Sequence, residues 1–372
     1  MLRPVRLRAL VPLALLAACG GAPTSVDPAA VAPSPPTPPP RAASDAGAPA
    51  DAGSGPAPSS LPFGEKPSTW TWVDVPGTRC GNGSPSGMGV NLYPGATKVL
   101  LFLQGGGACA DAAGCWTSPT ASHIASGYGE ADLGPDTAKT PLLFSRGDAE
   151  NPFKGAHFVF VPYCTGDLHA GDNVASYAVD GVPTPTYHYG AHNVDAILAR
   201  LADELSGIDR VWLTGESAGG FGAVVNQDFA ARALRTRVDV IDDSGPPLNV
   251  TGSGFPATWG VRLPPACADC ANGLDRVFAF DRRTYPETRF AFMTFSSDPV
   301  LPEFYGVSPA TFETSFTQFL AAFTHDPNTQ WFEAFGSGHV VIGSIGEGAA
   351  PSLPGWLTLM TRDDPRWTSQ AQ

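Results

Sequence analysis

The chain has 372 residues, a formal net charge of −13 and a pI of about 4.8. No run of basic residues occurs beyond the N-terminal segment, which argues against nucleic acid or an anionic membrane surface as a partner. The length leaves room for one large domain with a substantial core.

The first nineteen residues have the pattern of an export signal. Three arginines precede an apolar segment that is too short to span a bilayer. The segment ends in L-A-A-C, which resembles a bacterial lipoprotein box with Cys19 as the lipidated residue. An ordinary signal peptide with an unrelated cysteine is the alternative. We expect an exported protein that either contacts a membrane only through an N-terminal lipid or is secreted.

Residues 20–60 are dominated by Pro, Ala, Ser and Gly and include P-S-P-P-T-P-P-P. They lack the large apolar side chains that would offset the entropy lost on ordering, so we predict a disordered, partly extended tether. Residues 61–372 are then one domain, which we expect to be monomeric.

Apolar runs separated by Gly and Pro predict buried strands, and apolar residues at helical spacing predict helices between them. The strands are expected at 97–104, 157–163, 210–214, 238–243, 289–295 and 330–335, and the helices at 189–205, 218–234 and 312–323. The strand runs are nearly continuous, as in strands covered on both faces. Residues 244–285 are long and rich in Pro and Gly, which favours a lid-like insertion. The pattern predicts an α/β fold with a mainly parallel sheet and flanking helices.

Six cysteines remain when Cys19 is set aside, and six allow fifteen pairings. Cys109 and Cys115 could close a short loop, as could Cys267 and Cys270, which would leave Cys80 and Cys164. Spacing alone does not decide between these pairings. The alternative for Cys267-Ala-Asp-Cys270 is half of a zinc site, but no second C-x-x-C and no nearby histidine accompany it.

Residues 215–222 read G-E-S-A-G-G-F-G, between a predicted strand and a predicted helix. This context is the one that a nucleophile elbow requires, with Ser217 on a sharp turn. The alternative is a serine in a glycine-rich loop. The helix N-terminus favours negative charge that develops beside the serine. The motif predicts that Ser217 is a catalytic nucleophile.

A nucleophilic serine needs a histidine base and an acid that orients it, in the order Ser, Asp/Glu, His in α/β-hydrolases. Two histidines follow Ser217. His339, in G-S-G-H-V-V, follows the last predicted strand, where a catalytic histidine loop belongs. His325, in T-H-D-P-N, is typical of a solvated turn. We predict His339 as the base.

Two aspartates are candidates for the acid. Asp298 follows the strand at 289–295, and Asp243 ends the preceding strand beside Asp242. The acid often follows the strand that precedes the strand of the histidine, which favours Asp298. Asp243 is the alternative acid, and otherwise a structural or pocket-lining carboxylate.

The glycines of F-L-Q-G-G-G-A-C, residues 102–109, follow an early predicted strand, as an oxyanion loop does. We predict that the N–H of Gly106 or Gly107, together with that of Ala218, binds the oxyanion. A phosphate-binding loop is disfavoured because Walker and Rossmann spacings are absent.

Four segments occur in this order along the chain: G-G-G-A-C, Y-C-T-G-D-L-H-A-G-D, G-E-S-A-G-G and a late G-H. They are preceded by the segment R-C-G-N-G-S-P-S-G-M. Together they resemble the pectin acetylesterase (Notum) family of serine carboxylesterases over residues 70–345. The resemblance implies an α/β-hydrolase-like fold, a Ser217/Asp298/His339 triad and no cofactor. It also implies disulfides Cys80–Cys164 and Cys109–Cys115.

The chain departs from the family pattern at Ala108, where an aromatic residue is common, and at Glu216, where Ser or Cys is usual. Both departures concern the pocket rather than the triad. Tyr163, Asp167 and His169 are expected either to shape the pocket or, for His169, to make a structural hydrogen bond.

The sequence therefore predicts a serine ester hydrolase that removes O-acetyl groups from a polysaccharide. A lipase, a polyester depolymerase or a fatty-acyl deacylase on the same scaffold is the first alternative. A catalytically inactive glycan-binding protein is the second.

Overall fold

The computed structural model describes residue 63 and residues 66–250, 255–343 and 352–372. The predicted signal peptide with Cys19 and the whole of the predicted tether, residues 20–60, lie outside these residues. The described strands are β1 (Thr71–Arg79), β2 (Pro85–Asn91), β3 (Lys98–Leu103), β4 (His157–Val161), β5 (Asn173–Val179), β6 (Val182–His188), β7 (Arg210–Glu216), β8 (Arg237–Asp243), β9 (Phe290–Ser297), β10 (Thr329–Ser337) and β11 (Gln370–Ala371).

The described α-helices are α1 (Glu130–Thr137), α2 (Pro141–Phe144), α3 (Gly190–Glu204), α4 (Ala218–Leu234), α5 (Leu274–Thr284), α6 (Leu301–Phe304), α7 (Pro309–Ala321) and α8 (Leu353–Thr361). The six predicted strands and the three predicted helices are confirmed, with bounds that differ by a few residues. Within the described ranges, no helix combines the length and the apolarity that crossing a bilayer requires.

Nine strands form one sheet in the order β1-β2-β4-β3-β7-β8-β9-β10-β11, and β5 and β6 form a separate hairpin. From β4 to β11 all neighbours are parallel, whereas β1 and β2 join antiparallel. The mainly parallel, α/β-hydrolase-like sheet is thus confirmed. The parallel strands all end at one edge, here called the carboxyl edge, and begin at the opposite amino edge. Loops at the carboxyl edge are where open α/β sheets place their sites.

Both faces of the central strands are buried, which explains the continuous apolar runs. Val99, Leu101 and Leu103 of β3 pack in one cluster with residues of α3, α4 and α5. Leu100 and Phe102 pack in the cluster on the opposite face, which α8 covers. Successive side chains of a strand point to opposite faces, so a strand with two covered faces needs apolar residues at every position.

The predicted insertion at 244–285 consists of two different parts. Its described residues before α5 are irregular apart from two short 3₁₀ turns, Ala257–Trp259 and Cys270–Asn272. Its last part is α5, a crossover helix that the sequence analysis did not predict. Phe278 of α5 packs against Phe290 and Phe292 of β9, with ring centroids 5.0 and 5.3 Å apart. The excursion is therefore shorter than predicted.

The six cysteines form three disulfides: Cys80–Cys164, Cys109–Cys115 and Cys267–Cys270. The pairs that the resemblance implied are confirmed, and so is the short loop at 267–270. The zinc alternative for that loop is wrong because both of its sulfurs are bonded to each other. In the part of the chain that the structure describes, no group of three His, Cys, Asp or Glu side chains is arranged to hold a metal ion.

Candidate active site

Ser217 lies on a sharp turn between β7 and α4 at the carboxyl edge. Its backbone angles, φ 51° and ψ −118°, are unfavourable for a residue with a side chain. The turn is held by the N–H of Ser217, which donates to the carbonyl oxygen of Asp243 at 2.7 Å. A Cβ at Gly219 would overlap the carbonyl oxygen of Leu103, so only glycine lets α4 begin this close to β3. The predicted elbow is confirmed as a structure.

A chain of two hydrogen bonds runs from Ser217 through His339 to Asp298. His339 Nε2 lies 2.7 Å from Ser217 Oγ, and His339 Nδ1 lies 2.8 Å from Asp298 Oδ2. With Nδ1 protonated, the imidazole donates to the carboxylate, and Nε2 accepts the hydroxyl proton. The three residues come from the ends of β7, β9 and β10, so the parallel sheet brings together side chains up to 122 positions apart.

Asp298 is oriented by backbone rather than by a cation. Its Oδ1 accepts from the N–H of Val300 at 2.7 Å and from that of Leu301 at 3.0 Å, at the start of α6. Its side chain is fully buried, whereas the His339 side chain is 19% exposed. The exposed member of this pair is therefore the one that can meet a substrate.

Asp243 does not contact the imidazole but holds the loop that carries it. Its Oδ1 accepts from the N–H of Val341 at 3.0 Å, and its Oδ2 accepts from the N–H of Ile342 at 2.7 Å. The hydroxyl of the adjacent Ser244 donates to the carbonyl oxygen of His339. Burial raises the pKa of Asp243 to about 6, against these hydrogen bonds. The structure thus places Asp243 as an anchor of the histidine loop.

The glycine loop after β3 lies beside the elbow, as the contact between Gly219 and Leu103 requires. Gly106 and Gly107 have φ angles of 145° and 74°, which favour glycine. None of the residues that the structure describes accepts a hydrogen bond from the N–H of Gly106, Gly107 or Ala218. Three unpaired backbone donors beside a serine are what an oxyanion hole needs.

A largely apolar cavity of about 760 Å³ opens beside this loop and is here called the apolar cavity. Gly107 and Ala108 form part of its wall, and one charged residue, Glu303, lines it. Its apolar walls come from the loop after β4, from the insertion up to the first residue of α5, and from α6 with the residues at its two ends: Leu168, Leu248, Phe255, Pro256, Trp259, Leu274, Val300, Phe304 and Tyr305. The described part of the insertion therefore faces the site, as a lid-like segment would.

Trp259 fixes the insertion against the scaffold. Its indole N–H donates to the carbonyl oxygen of Cys109 at 2.7 Å, and its carbonyl oxygen accepts from the N–H of Asp172 at 2.9 Å. The residue is 3% exposed. Because Trp259 is buried and makes two hydrogen bonds, this wall of the apolar cavity is fixed in position.

Comparison with known proteins gives the family. The sequence profile of the pectinacetylesterase family matches residues 69–257, which is just over half of the chain. The chain belongs to the pectinacetylesterase family. Members of this family hydrolyse carboxylic esters, and this chain is a carboxylic ester hydrolase with the predicted α/β-hydrolase-like fold.

The curated relatives are palmitoleoyl-protein carboxylesterases of the Notum type. The chain is 31% identical to that of Homo sapiens over 159 residues, which cover 42% of this chain and 30% of the relative. It is 25% identical to notum1a of Danio rerio over 239 residues, or 56% and 45% of the two chains. It is 27% identical to that of Schmidtea mediterranea over 167 residues, or 43% and 30%. The chain thus spans less than half of the length of these relatives.

The other predicted pocket residues are buried supports. His169 Nε2 lies 2.8 Å from the carbonyl oxygen of Gln104, directly before the glycine loop. The hydroxyl of Tyr163 accepts from the N–H of Leu168, and Asp167 accepts from the N–H of Gly190. Burial lowers the pKa of His169, which favours the neutral imidazole. These three side chains support the loops of the site through hydrogen bonds and do not line the apolar cavity.

His325 lies far from this site, in the exposed turn that precedes β10 at the amino edge. The sequence analysis gave Asp243 as a possible structural carboxylate but did not identify the loop that it anchors, and it missed the walls Leu248, Val300 and Phe304. The position of Asp243 at the end of β8, next to β7, is the one signal that could have indicated the first of these. The walls come from irregular segments, for which the sequence offered no periodicity.

Proposed function

We propose that Ser217, His339 and Asp298 are the catalytic triad of this ester hydrolase. The observation that carries the proposal is the chain of hydrogen bonds at 2.7 and 2.8 Å that joins the three side chains. Such distances are within the reach that proton transfer between nucleophile and base requires.

In the first step, Ser217 Oγ attacks the ester carbonyl carbon while His339 Nε2 takes the hydroxyl proton. Asp298 stabilises the resulting imidazolium through Nδ1. The C–O bond to the alcohol then breaks, and His339 returns the proton to the departing oxygen. In the second step His339 takes a proton from water, which attacks the acyl-enzyme. The bond between the acyl carbon and Ser217 Oγ then breaks, His339 returns the proton to Oγ, and the carboxylic acid leaves.

The N–H groups of Gly106 or Gly107 and of Ala218 bind the oxyanion of both tetrahedral intermediates. They need no reorganisation because they have no other acceptor among the described residues. Each such donor stabilises the transition state by about 3 kcal/mol. The N-terminus of α4 adds favourable potential at the same point.

The acyl group that the geometry supports best is an apolar chain longer than acetyl. A cavity of about 760 Å³ with one charged wall residue is far larger than an acetyl group needs. The relatives are named for palmitoleoyl esters, whose acyl part is long and apolar. Removal of O-acetyl groups from a polysaccharide, which the sequence favoured, is the second candidate because the family is named for it.

p-Nitrophenyl esters of two to sixteen acyl carbons test both parts of the proposal. We expect kcat/KM to rise from the acetate to a medium-length chain, and activity confined to the acetate would instead establish the acetylesterase candidate. Ser217→Ala should lower kcat on the order of 10⁶-fold, while the matched control His325→Ala keeps full activity.

Labelling with a fluorophosphonate probe gives an independent check of the nucleophile. The wild-type chain should be labelled at Ser217, and the variant Ser217→Ala should not be labelled. A folded wild-type protein that neither reacts with the probe nor hydrolyses any of the esters would refute the triad and favour an inactive glycan-binding scaffold.

A further inference from the structure

Two cavities of opposite character lie on the two sides of the glycine loop. Gly107 and Ala108 line the apolar cavity, whereas Gly105 and Gly106 line a second cavity of about 210 Å³, here called the polar cavity. Consecutive residues of one loop therefore separate the two. The candidate oxyanion donors at Gly106 and Gly107 lie at this division.

The polar cavity brings together ionisable side chains from three segments. His123 and the pair Asp136 and Lys139 come from the region between β3 and β4, and Glu216 is the residue that precedes Ser217. The apolar cavity, by contrast, has one charged residue in its wall. Acidic, basic and neutral hydrogen-bonding groups in one small cavity suit a ligand with several hydroxyl groups.

Glu216 faces this cavity with an unused carboxylate. Gly105 packs directly against it, since a Cβ at Gly105 would overlap the carbonyl oxygen of Glu216. No residue in the described ranges donates a hydrogen bond to its carboxylate. Burial and the nearby Asp243 raise the pKa of Glu216 to about 7, although Lys139 and His339 oppose the shift. Near neutral pH the group is therefore available both as a donor and as an acceptor.

The opposite wall is held in place by Asp136, which is 7% exposed. Its two oxygens accept from Lys139 Nζ at 2.6 Å and from Gln104 Nε2 at 2.7 Å. Burial acts to raise the pKa of Asp136, but the hydrogen bonds from Lys139 and Gln104 lower it overall. The Lys139 side chain is 73% exposed, so its ammonium keeps two protons for a ligand.

The polar cavity also adjoins the loop of the candidate base. A Cβ at Gly343, four residues after His339, would lie 4.0 Å from the carbonyl oxygen of Lys139. The alcohol oxygen of an ester must lie near the base in order to receive its proton, whereas the acyl chain extends elsewhere.

We propose that the polar cavity is the subsite for the alcohol part of the ester and that it selects a hydroxylated alcohol, such as a sugar residue or another polyol. Lys139 and Glu216 are the residues that determine this specificity. The inference rests on the proposed function of Ser217.

The test compares two esters with the same octanoyl group, methyl 6-O-octanoylglucoside and hexyl octanoate. The wild-type chain should hydrolyse the glucoside with a kcat/KM at least about tenfold higher. Lys139→Met and Glu216→Gln should each reduce this preference about tenfold, as expected when a hydrogen bond to an ionisable group is lost. Lys154→Met, a lysine outside both cavities, should leave the preference unchanged.

Equal kcat/KM values for the two esters in the wild-type chain would overturn the subsite, and this result needs no variant to fold. An unchanged preference in both folded variants would overturn it as well. Neither result bears on the triad, which fails if Ser217→Ala retains activity or if the folded wild-type chain neither reacts with the fluorophosphonate probe nor hydrolyses any ester. The two proposals can therefore fail separately.

Discussion

The charged side chains at the two edges of the sheet differ in their partners. At the amino edge, β7 and β8 begin with Arg210 and Arg237, and Arg289 directly precedes β9. Arg210 binds Asp239 at 2.6 Å and Asp363 at 2.9 Å, and Arg237 binds the same two carboxylates at 2.9 Å. Burial tends to raise the pKa of Asp363, but Arg210 and Arg237 lower it overall.

At the carboxyl edge the same three strands end at carboxylates that form no salt bridge with a Lys or Arg of the described residues. β7 ends at Glu216, β8 ends at Asp243, and Asp298 follows β9. Burial raises the pKa of Glu216, Asp242 and Asp243. Strain at Ser217 and unpaired N–H groups occur at this edge too. The comparison teaches that Arg–Asp ion pairs hold one edge, whereas the carboxylates of the other edge are held by backbone N–H groups and His339 or, like Glu216, accept no hydrogen bond from the described residues.

The largest expected effect separates two acids of the carboxyl edge. Asp298→Asn should lower kcat about 10⁴-fold with folding intact, because an amide holds the imidazole in the wrong tautomer. The matched change Asp243→Asn should lower kcat only about tenfold, since it loosens the histidine loop without contacting the ring. Ester kinetics with circular dichroism checks both. The reverse order would make Asp243 the acid.

The second-largest effect is expected at the amino edge and concerns the stability of the fold. Arg210→Met removes a partner of Asp239, whose side chain is fully buried, and should lower the free energy of unfolding by about 3 kcal/mol. Urea unfolding measures this loss. Activity per folded molecule should not change, because the site lies at the other edge. Arg366→Met, which breaks an exposed ion pair with Asp364, is the control and should leave the unfolding midpoint in place.

The smallest effect is a pH dependence at the carboxyl edge. Because burial raises the pKa of Glu216 to about 7, the folded chain binds this proton more tightly than the unfolded chain. The resulting stability is fully present below the unfolded pKa near 4.5 and is lost as pH rises through 7. Glu216→Gln should abolish this loss.

The stability of Glu216→Gln relative to wild type should therefore be about 3 kcal/mol greater at pH 8 than at pH 4. Unfolding curves at both pH values give the difference. A relative stability that falls with rising pH would mean that the glutamate is stabilised as an anion, which would contradict the contrast between the two edges.

Most of the site could be predicted because its parts follow strands that the sequence marks clearly. The strand before Ser217, the aspartate after β9 and the histidine after β10 each stand next to a continuous apolar run. β1 and β2 were missed because T-W-V-D-V-P-G-T-R and P-S-G-M-G-V-N contain Pro and Gly and no continuous run. α5 was missed because it follows a Pro- and Gly-rich segment.

The sequence by itself predicted the chemistry that we propose for the chain: an elbow, a base, an acid and a glycine loop in a fixed order, on strands whose ends face one way. Only the tertiary structure decided which groups each carboxylate of the carboxyl edge contacts. Asp243 accepts hydrogen bonds from backbone N–H groups that lie nearly a hundred residues away in the chain. Glu216 faces the polar cavity, whose opposite wall comes from the segment between β3 and β4. Hydrogen bonds between distant segments depend on where the sheet places them, and no local pattern records that position.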